Sequence, residues 1–184
     1  MTIDAPTTYV RTLQDTTRDA ARRLSELSDP VITWRPSPAA WSIKEIIGHL
    51  IDSAANNHQR FVRAADEDDL VFPGYEQNRW VRVQAYDSAP WNELVTLWAS
   101  YNQHLARVMA AVPSSVRERR HARHNLHEIG WRPFPADQPA TLDDLMHDYV
   151  LHLKHHLAQV QDRLRGAHAA SIAAAAGDAA ARDA

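Results

Sequence analysis

Histidine is the residue whose number and spacing point to chemistry in this chain: eleven occur in 184 residues, and there is no cysteine. Without thiols there are no disulfides, thiolate zinc sites, iron–sulfur clusters or cysteine nucleophiles, so a bound metal has to be held by nitrogen or oxygen. The densest run spans Met146 to Val160 and carries His147, His152, His155 and His156. On a helix turning about 100° per residue, His152 and His156 lie only about 40° apart, on one stripe with Leu145, Tyr149 and Val160. Both imidazoles are therefore expected to point inward, whereas His155 and His147 fall off the stripe and read as flanking or surface residues. Histidines at i and i+4 make a two-toothed metal clamp. Two neutral imidazoles in an apolar core also need hydrogen-bond partners, and a divalent ion satisfies both at once. The plainer alternative is a solvated groove, or hydrogen bonds across the helices without metal. A third ligand would decide between them, and spacing leaves His49, His58 and His104 open. His49 follows Gly48 directly, and a glycine inside a helix costs about 1 kcal/mol relative to alanine, which is easier to understand where something approaches closely. Yet His49 sits at the edge of the Ile43, Ile47 and Leu50 stripe, so its direction is open as well.

The elements that must position these residues read as helices almost throughout, and the expected class is all-α. A first helix is expected from Tyr9 to Leu27, closed by Asp29-Pro30. A second starts at Ser42, with Glu45 completing a capping box and Trp41 and Ile46 at staple positions, and runs to about Ala65. The acidic run 66–69 reads as a solvated turn, and 71–89, rich in aromatics, as an irregular segment packed across the molecule. A third helix is expected from about Ser88–Pro90 to Pro113, with Trp91, Leu94, Val95, Trp98, Leu105, Val108 and Met109 facing a core. Residues 114–139 form a long crossover, first read as solvated loop; its Arg117–His127 part could instead cover the histidines and bind an anionic group. Thr141 caps a fourth helix, Leu142 to Arg165. Four apolar stripes with one long connection describe a four-helix bundle over residues 1–165, followed by an alanine-rich tail, 166–184, expected to be disordered.

The formal net charge of −3, with Lys44 and Lys154 the only lysines, gives no footing for nucleic acid. No stretch approaches a membrane span, and residues 1–8 lack a secretory pattern, so a cytoplasmic protein is expected. Phosphate loops, dinucleotide fingerprints and a Ser-His-Asp arrangement are missing from the sequence.

The run Trp41-Ser-Ile-Lys-Glu-Ile-Ile-Gly-His-Leu-Ile-Asp52, the Phe72-Pro-Gly-Tyr75 segment with Trp80, and His152-Leu-Lys-His-His-Leu-Ala-Gln159 together resemble the DinB/YfiT-like superfamily over roughly Tyr9 to Arg165. The resemblance implies a DinB-like four-helix bundle with a long crossover between helices three and four. It also implies a divalent metal, commonly nickel or zinc, held by three histidines: His49, His152 and His156, with His155 the nearest competitor to His156. It is the resemblance, not spacing, that selects His49. The superfamily includes metal-dependent hydrolases and transferases or isomerases that use a low-molecular-weight thiol such as bacillithiol or mycothiol, and a homodimer is a family-level expectation. Three protein ligands leave a position open for water or substrate, as in catalytic sites. Lacking cysteine, the chain would need any reacting thiol to come from outside. Asp52 and Asp148 are candidates to orient ligand imidazoles through their second nitrogens, although Asp148 also suits a helix start. Asn56, Asn57, Asn102 and Gln159 lie on or near inward positions as candidate substrate contacts. The competing expectation is a non-enzymatic stress-related or dimerisation module with a structural or vestigial metal site.

Overall fold

The computed structural model describes residues 8–182, with side chains described to residue 176; most of the N-terminal stretch read above for a leader lies outside that part. Helix α1 (Thr8–Leu24) ends three residues earlier than expected, and Asp29-Pro30 does more than close it. Proline is tolerated in a first turn, where its missing N–H costs nothing, and here it opens a short helix, α2 (Asp29–Thr33). The start of α3 (Ile43–Ala64) is as read: the Ser42 hydroxyl accepts from the Glu45 backbone N–H at 3.3 Å, and the Glu45 carboxylate accepts from the Ser42 N–H at 2.8 Å. Arg35 adds an ion pair to Glu45 at 2.9 Å.

Within 71–89 lies a seven-residue helix that periodicity missed, α4 (Gln77–Val83), whose first N–H groups, of Asn78 and Arg79, donate to the Glu76 carboxylate. Helix α5 (Trp91–Ala111) follows. The crossover is largely fixed: it holds α6 (Ser114–Arg117), a two-residue strand β1 (Arg120–His121) and α7 (Leu126–Ile129). Strand β1 pairs antiparallel with β2 (Ala140–Thr141), immediately before the last helix. Two hydrogen bonds tie Leu70 to Arg123 and Asn125 across the crossover, and the Asn125 side chain brackets the Phe72 backbone at 3.0 and 2.9 Å.

Helix α8 (Leu142–Arg182) opens on Thr141 and Asp144, which exchange backbone-to-side-chain bonds at 3.0 and 2.9 Å. It does not stop at Gly166. Of the tail expected to be disordered, residues 166–182 continue the helix and 168–176 are exposed, because alanine is the strongest helix former and needs no packing partner to prefer that backbone. Gly166 itself lies under Trp34: a Cβ there would sit 2.2 Å from the indole ring.

The four long helices form a closed square in which α1 packs on α5 and α8, and α3 on the same two, so α1 and α3 are diagonal although they lead the chain order. Trp98, Phe61, Leu13, Ile46, Leu50 and Leu105 are among the large side chains sealed in the centre. Among the described residues no helix is long and apolar enough to cross a membrane.

Candidate metal centre

Helix α3 carries a polar stripe inside an otherwise apolar bundle. His49, Ser53, Asn57 and Arg60 fall within about 80° of one another around its axis, and all four are buried. Helix α8 runs antiparallel beside it, so His156 and His152 pass His49 and Ser53 in turn. Gly48 allows the fit: the Tyr86 ring lies so close that a Cβ at Gly48 would come within 2.1 Å of it. The close approach read from that glycine is thus made by an aromatic ring arriving from beyond α4.

His49, His152 and His156 converge, with ligand atoms all within 4.8 Å of one another. The Nε2 atoms of His49 and His152 are 3.3 Å apart, and those of His152 and His156 are 2.9 Å apart. Metal–nitrogen bonds of about 2.1 Å at octahedral to tetrahedral angles put neighbouring nitrogens about 3.0–3.4 Å apart, so the spacing suits a common ion. The proton arrangement points the same way. Gln159 Nε2 faces His155 at 3.2 Å, leaving its carbonyl oxygen to accept from His156 Nδ1 at 2.9 Å. With that N–H on Nδ1, the Nε2 lone pair of His156 is directed at the other rings.

Burial also suppresses protonation. It pulls the His152 pKa down from 6.5 to about 2, with His156, His49 and His155 adding like-charge repulsion. It takes His49 to about 3 and His156 to about 4. Three neutral imidazoles with converging nitrogens are the donor set a borderline divalent cation takes. Trp41 roofs the group, its ring 5.0 Å from that of His49 and 6.4 Å from that of His156.

The other candidates go elsewhere. His58 and His104 meet edge to face at 4.9 Å, with Tyr101 Oη 3.2 Å from His58 Nδ1, as a separate pair. His155 is exposed, its ring 5.2 Å from Trp131, and His147 is exposed and stacked on Tyr9. Neither aspartate orients a histidine. The Asp52 carboxylate accepts from Gln84 and, at 2.7 Å, from the Tyr86 hydroxyl, fixing the ring that covers Gly48; burial raises its pKa while these two bonds oppose the rise. His49 Nδ1 is left buried with no hydrogen-bond partner.

Asp148 accepts from the backbone N–H groups of Trp131 and Arg132 at 2.9 and 3.0 Å and from Arg132 Nε at 3.1 Å, pinning the crossover to α8. Three arginines of the 117–127 segment are likewise occupied: Arg117 pairs with Asp143, Arg119 with Asp68 and Arg123 with Asp69. These pairs tie the segment to the rest of the fold as a buttress. Asn102 accepts from the Tyr149 hydroxyl and donates to the Trp98 carbonyl, a satisfied core pair.

Two cavities reach the histidines. One of about 210 Å³ follows the α3 stripe past His152, lined by Ser53, Asn57, Arg60, Tyr75, Trp131 and Tyr149 among others. A second, of about 330 Å³, opens at His156 between Trp41, Asn78, Gln159 and Arg163, and Gln77 stands in the walls of both. Ser53, Arg60, Tyr75 and Trp131 were not singled out from sequence as site residues. The signal for the first two was present, since they share the His49 face, but it needed that histidine placed first.

Comparison with known proteins agrees with this architecture. The family model described as the DinB superfamily matches residues 12–160. A protein of Halalkalibacterium halodurans named "Putative metal-dependent hydrolase" is 22% identical over 125 residues, 68% of this chain and 66% of that protein. One of Oceanobacillus iheyensis with the same descriptive name is 19% identical over 161 residues, 88% of this chain and 86% of that one. Among solved structures, YfiT from Bacillus subtilis, titled "a probable metal-dependent hydrolase with an unusual four-helix bundle topology", superposes with a TM-score of 0.70 over 85% of this chain and 84% of that one, at 16% identity. The diagonal bundle, the histidine cluster at one end of its α3–α8 seam and the family match over most of the chain lead to one conclusion: this protein is a member of the DinB superfamily.

Proposed function

We propose that His49, His152 and His156 hold one divalent ion, nickel or zinc, and that the protein is a metal-dependent enzyme attacking a small electrophile with water or an external low-molecular-weight thiol. The observation that carries this reading is the convergence of three neutral imidazoles on one point, two buried and that of His152 half-buried, with cavities on two sides. A divalent ion there supplies Lewis acidity, lowering the pKa of a water or thiol in its open position. The chain's own groups do the rest. Trp41 keeps bulk water from the rings of His49 and His156, Gln159 fixes the proton of His156 on Nδ1, and Tyr75, whose pKa burial raises, remains a hydroxyl donor at physiological pH. Because the three-nitrogen set leaves coordination positions unfilled, it suits a reacting site better than a closed structural one.

The test is metal content of purified protein beside His156→Ala and His155→Ala. Near-stoichiometric metal in wild type and His155→Ala, with affinity down at least about tenfold in His156→Ala, is expected; equal sub-stoichiometric metal in all three overturns the reading. Incubation of metal-loaded protein with chlorodinitrobenzene, with and without thiols, then separates thiol transfer from hydrolysis. Absence of turnover in every condition favours the non-enzymatic module.

A further inference from the structure

Arg60 is the one charged group of the histidine cavity whose charge nothing answers. Its residue is 6% exposed, yet among the described residues no carboxylate lies within ion-pairing distance of its guanidinium. Its recorded hydrogen bonds go to neutral oxygens, the Pro73 carbonyl at 3.0 Å and the Asn57 side chain at 3.4 Å. The acidic side chain in the same cavity wall, Asp148, is saturated by Arg132 and two backbone N–H groups. Burying a guanidinium without an anion is costly, and burial does lower the Arg60 pKa, although arginine stays protonated at any working pH. Buried arginines ordinarily come with their counter-charge, and here a ligand is the remaining source of one.

Geometry gives the missing anion its place. Arg60 lies eleven residues beyond His49 on the same face of α3, about 16 Å along the axis. Helical side chains lean toward the N-terminus, and the bond from Arg60 back to Asn57 shows that this guanidinium is turned toward the histidines. Ser53, Asn57 and Tyr75 line the interval, while Trp131 and Tyr149 supply aromatic surface. At about 210 Å³, the cavity is below the range usual for drug-sized ligands, about 300–1,000 Å³, and suits a short molecule.

We propose that Arg60 is the carboxylate-binding residue of this cavity, so that the electrophile is a short-chain acid held by its carboxylate at Arg60 with its reacting carbon toward His152. A planar guanidinium suits a planar carboxylate, which it can grip with two parallel hydrogen bonds. The assignment of the reacting end rests on the metal reading above; the anion subsite does not.

The probes are sodium butyrate and its neutral isostere butyramide, titrated into full-length protein, metal-free and zinc-loaded, while the Arg60 Nε–H resonance is followed by NMR. Butyrate is expected to shift that resonance saturably in both forms, and butyramide to leave it in place. In Arg60→Met butyrate affinity falls about tenfold or more, in Arg60→Lys it falls less, and both variants keep wild-type metal stoichiometry. An Arg60 resonance that ignores butyrate overturns the proposal even if neither variant folds, because that measurement uses wild-type protein. So does a butyrate response confined to the zinc-loaded form and unchanged in Arg60→Met, which places the carboxylate on the metal. If butyrate moves Arg60 but zinc does not bind, the subsite stands and the metal reading falls; zinc binding without a butyrate response gives the converse.

Discussion

Histidines 152 and 156 could be placed from sequence because an i, i+4 pair on an apolar stripe has one inward direction, and α8 has one packed side at that level. His49 could not, because nearly everything from Ile43 to Ala54 is buried, so the edge of a stripe there is still interior. Asp52 and Asp148 show a different limit: nearness along the chain says nothing about the direction of a carboxylate, and both turn to partners from other segments. At this scale the three converging histidines set a pH dependence. In the unfolded chain their pKa values are near 6.5, whereas in the fold burial holds them at about 3, 2 and 4. The unfolded state therefore takes up protons first as pH falls. Metal-free protein should be most stable above about pH 6.5 and lose stability below it as pH falls through about 4, 3 and 2, where His156, His49 and His152 in turn take up their protons in the fold, by at most about 1.4 kcal/mol per pH unit for each histidine. Urea midpoints at pH 7.5 and 5 measure this, and midpoints that do not move would place the imidazoles in water.

Among the elements, those with three or more turns were legible, and the short ones were not. Helix α4 has too few residues to display a period, and its start rests on Glu76, a less common capping residue than serine or aspartate. The crossover defeated pattern reading because its order comes from distant partners: Asn125 on Phe72, Leu70 on Arg123, and Asp148 on the Trp131–Arg132 backbone. The last of these separates a structural from a metal-supporting carboxylate. Asp148→Asn should lower stability by about 1.5–3 kcal/mol, the usual worth of a hydrogen bond to a charged group, and speed amide exchange near Trp131, while metal stoichiometry stays at the wild-type value. Loss of metal with the crossover intact would restore the role read from sequence.

For the molecule as a whole, the class and the number of long helices followed from periodicity, but their arrangement did not, since no local pattern records that α1 packs diagonally to α3. Residues 166–182 are helical although poor in apolar bulk, because that poverty predicts absence of packing, not absence of helix. Residues 171–176 are exposed and Ile172 is 71% so. Deleting 171–184 should accordingly remove helical circular-dichroism signal in proportion to length while leaving the Tm of the bundle within about 2 °C; a larger fall would mean the extension is held by something. The two cavities that share Gln77 as a wall carry a consequence about traffic. A centre with a single mouth admits its reactants in queue, the second waiting on the first. This one has a mouth on either side of His152 and His156, so a nucleophile and an electrophile can be resident together without passing each other. In a thiol-transfer assay, double-reciprocal plots at several fixed thiol concentrations should then intersect; parallel lines would mean that the first product leaves before the second reactant enters, so that the two are never resident together.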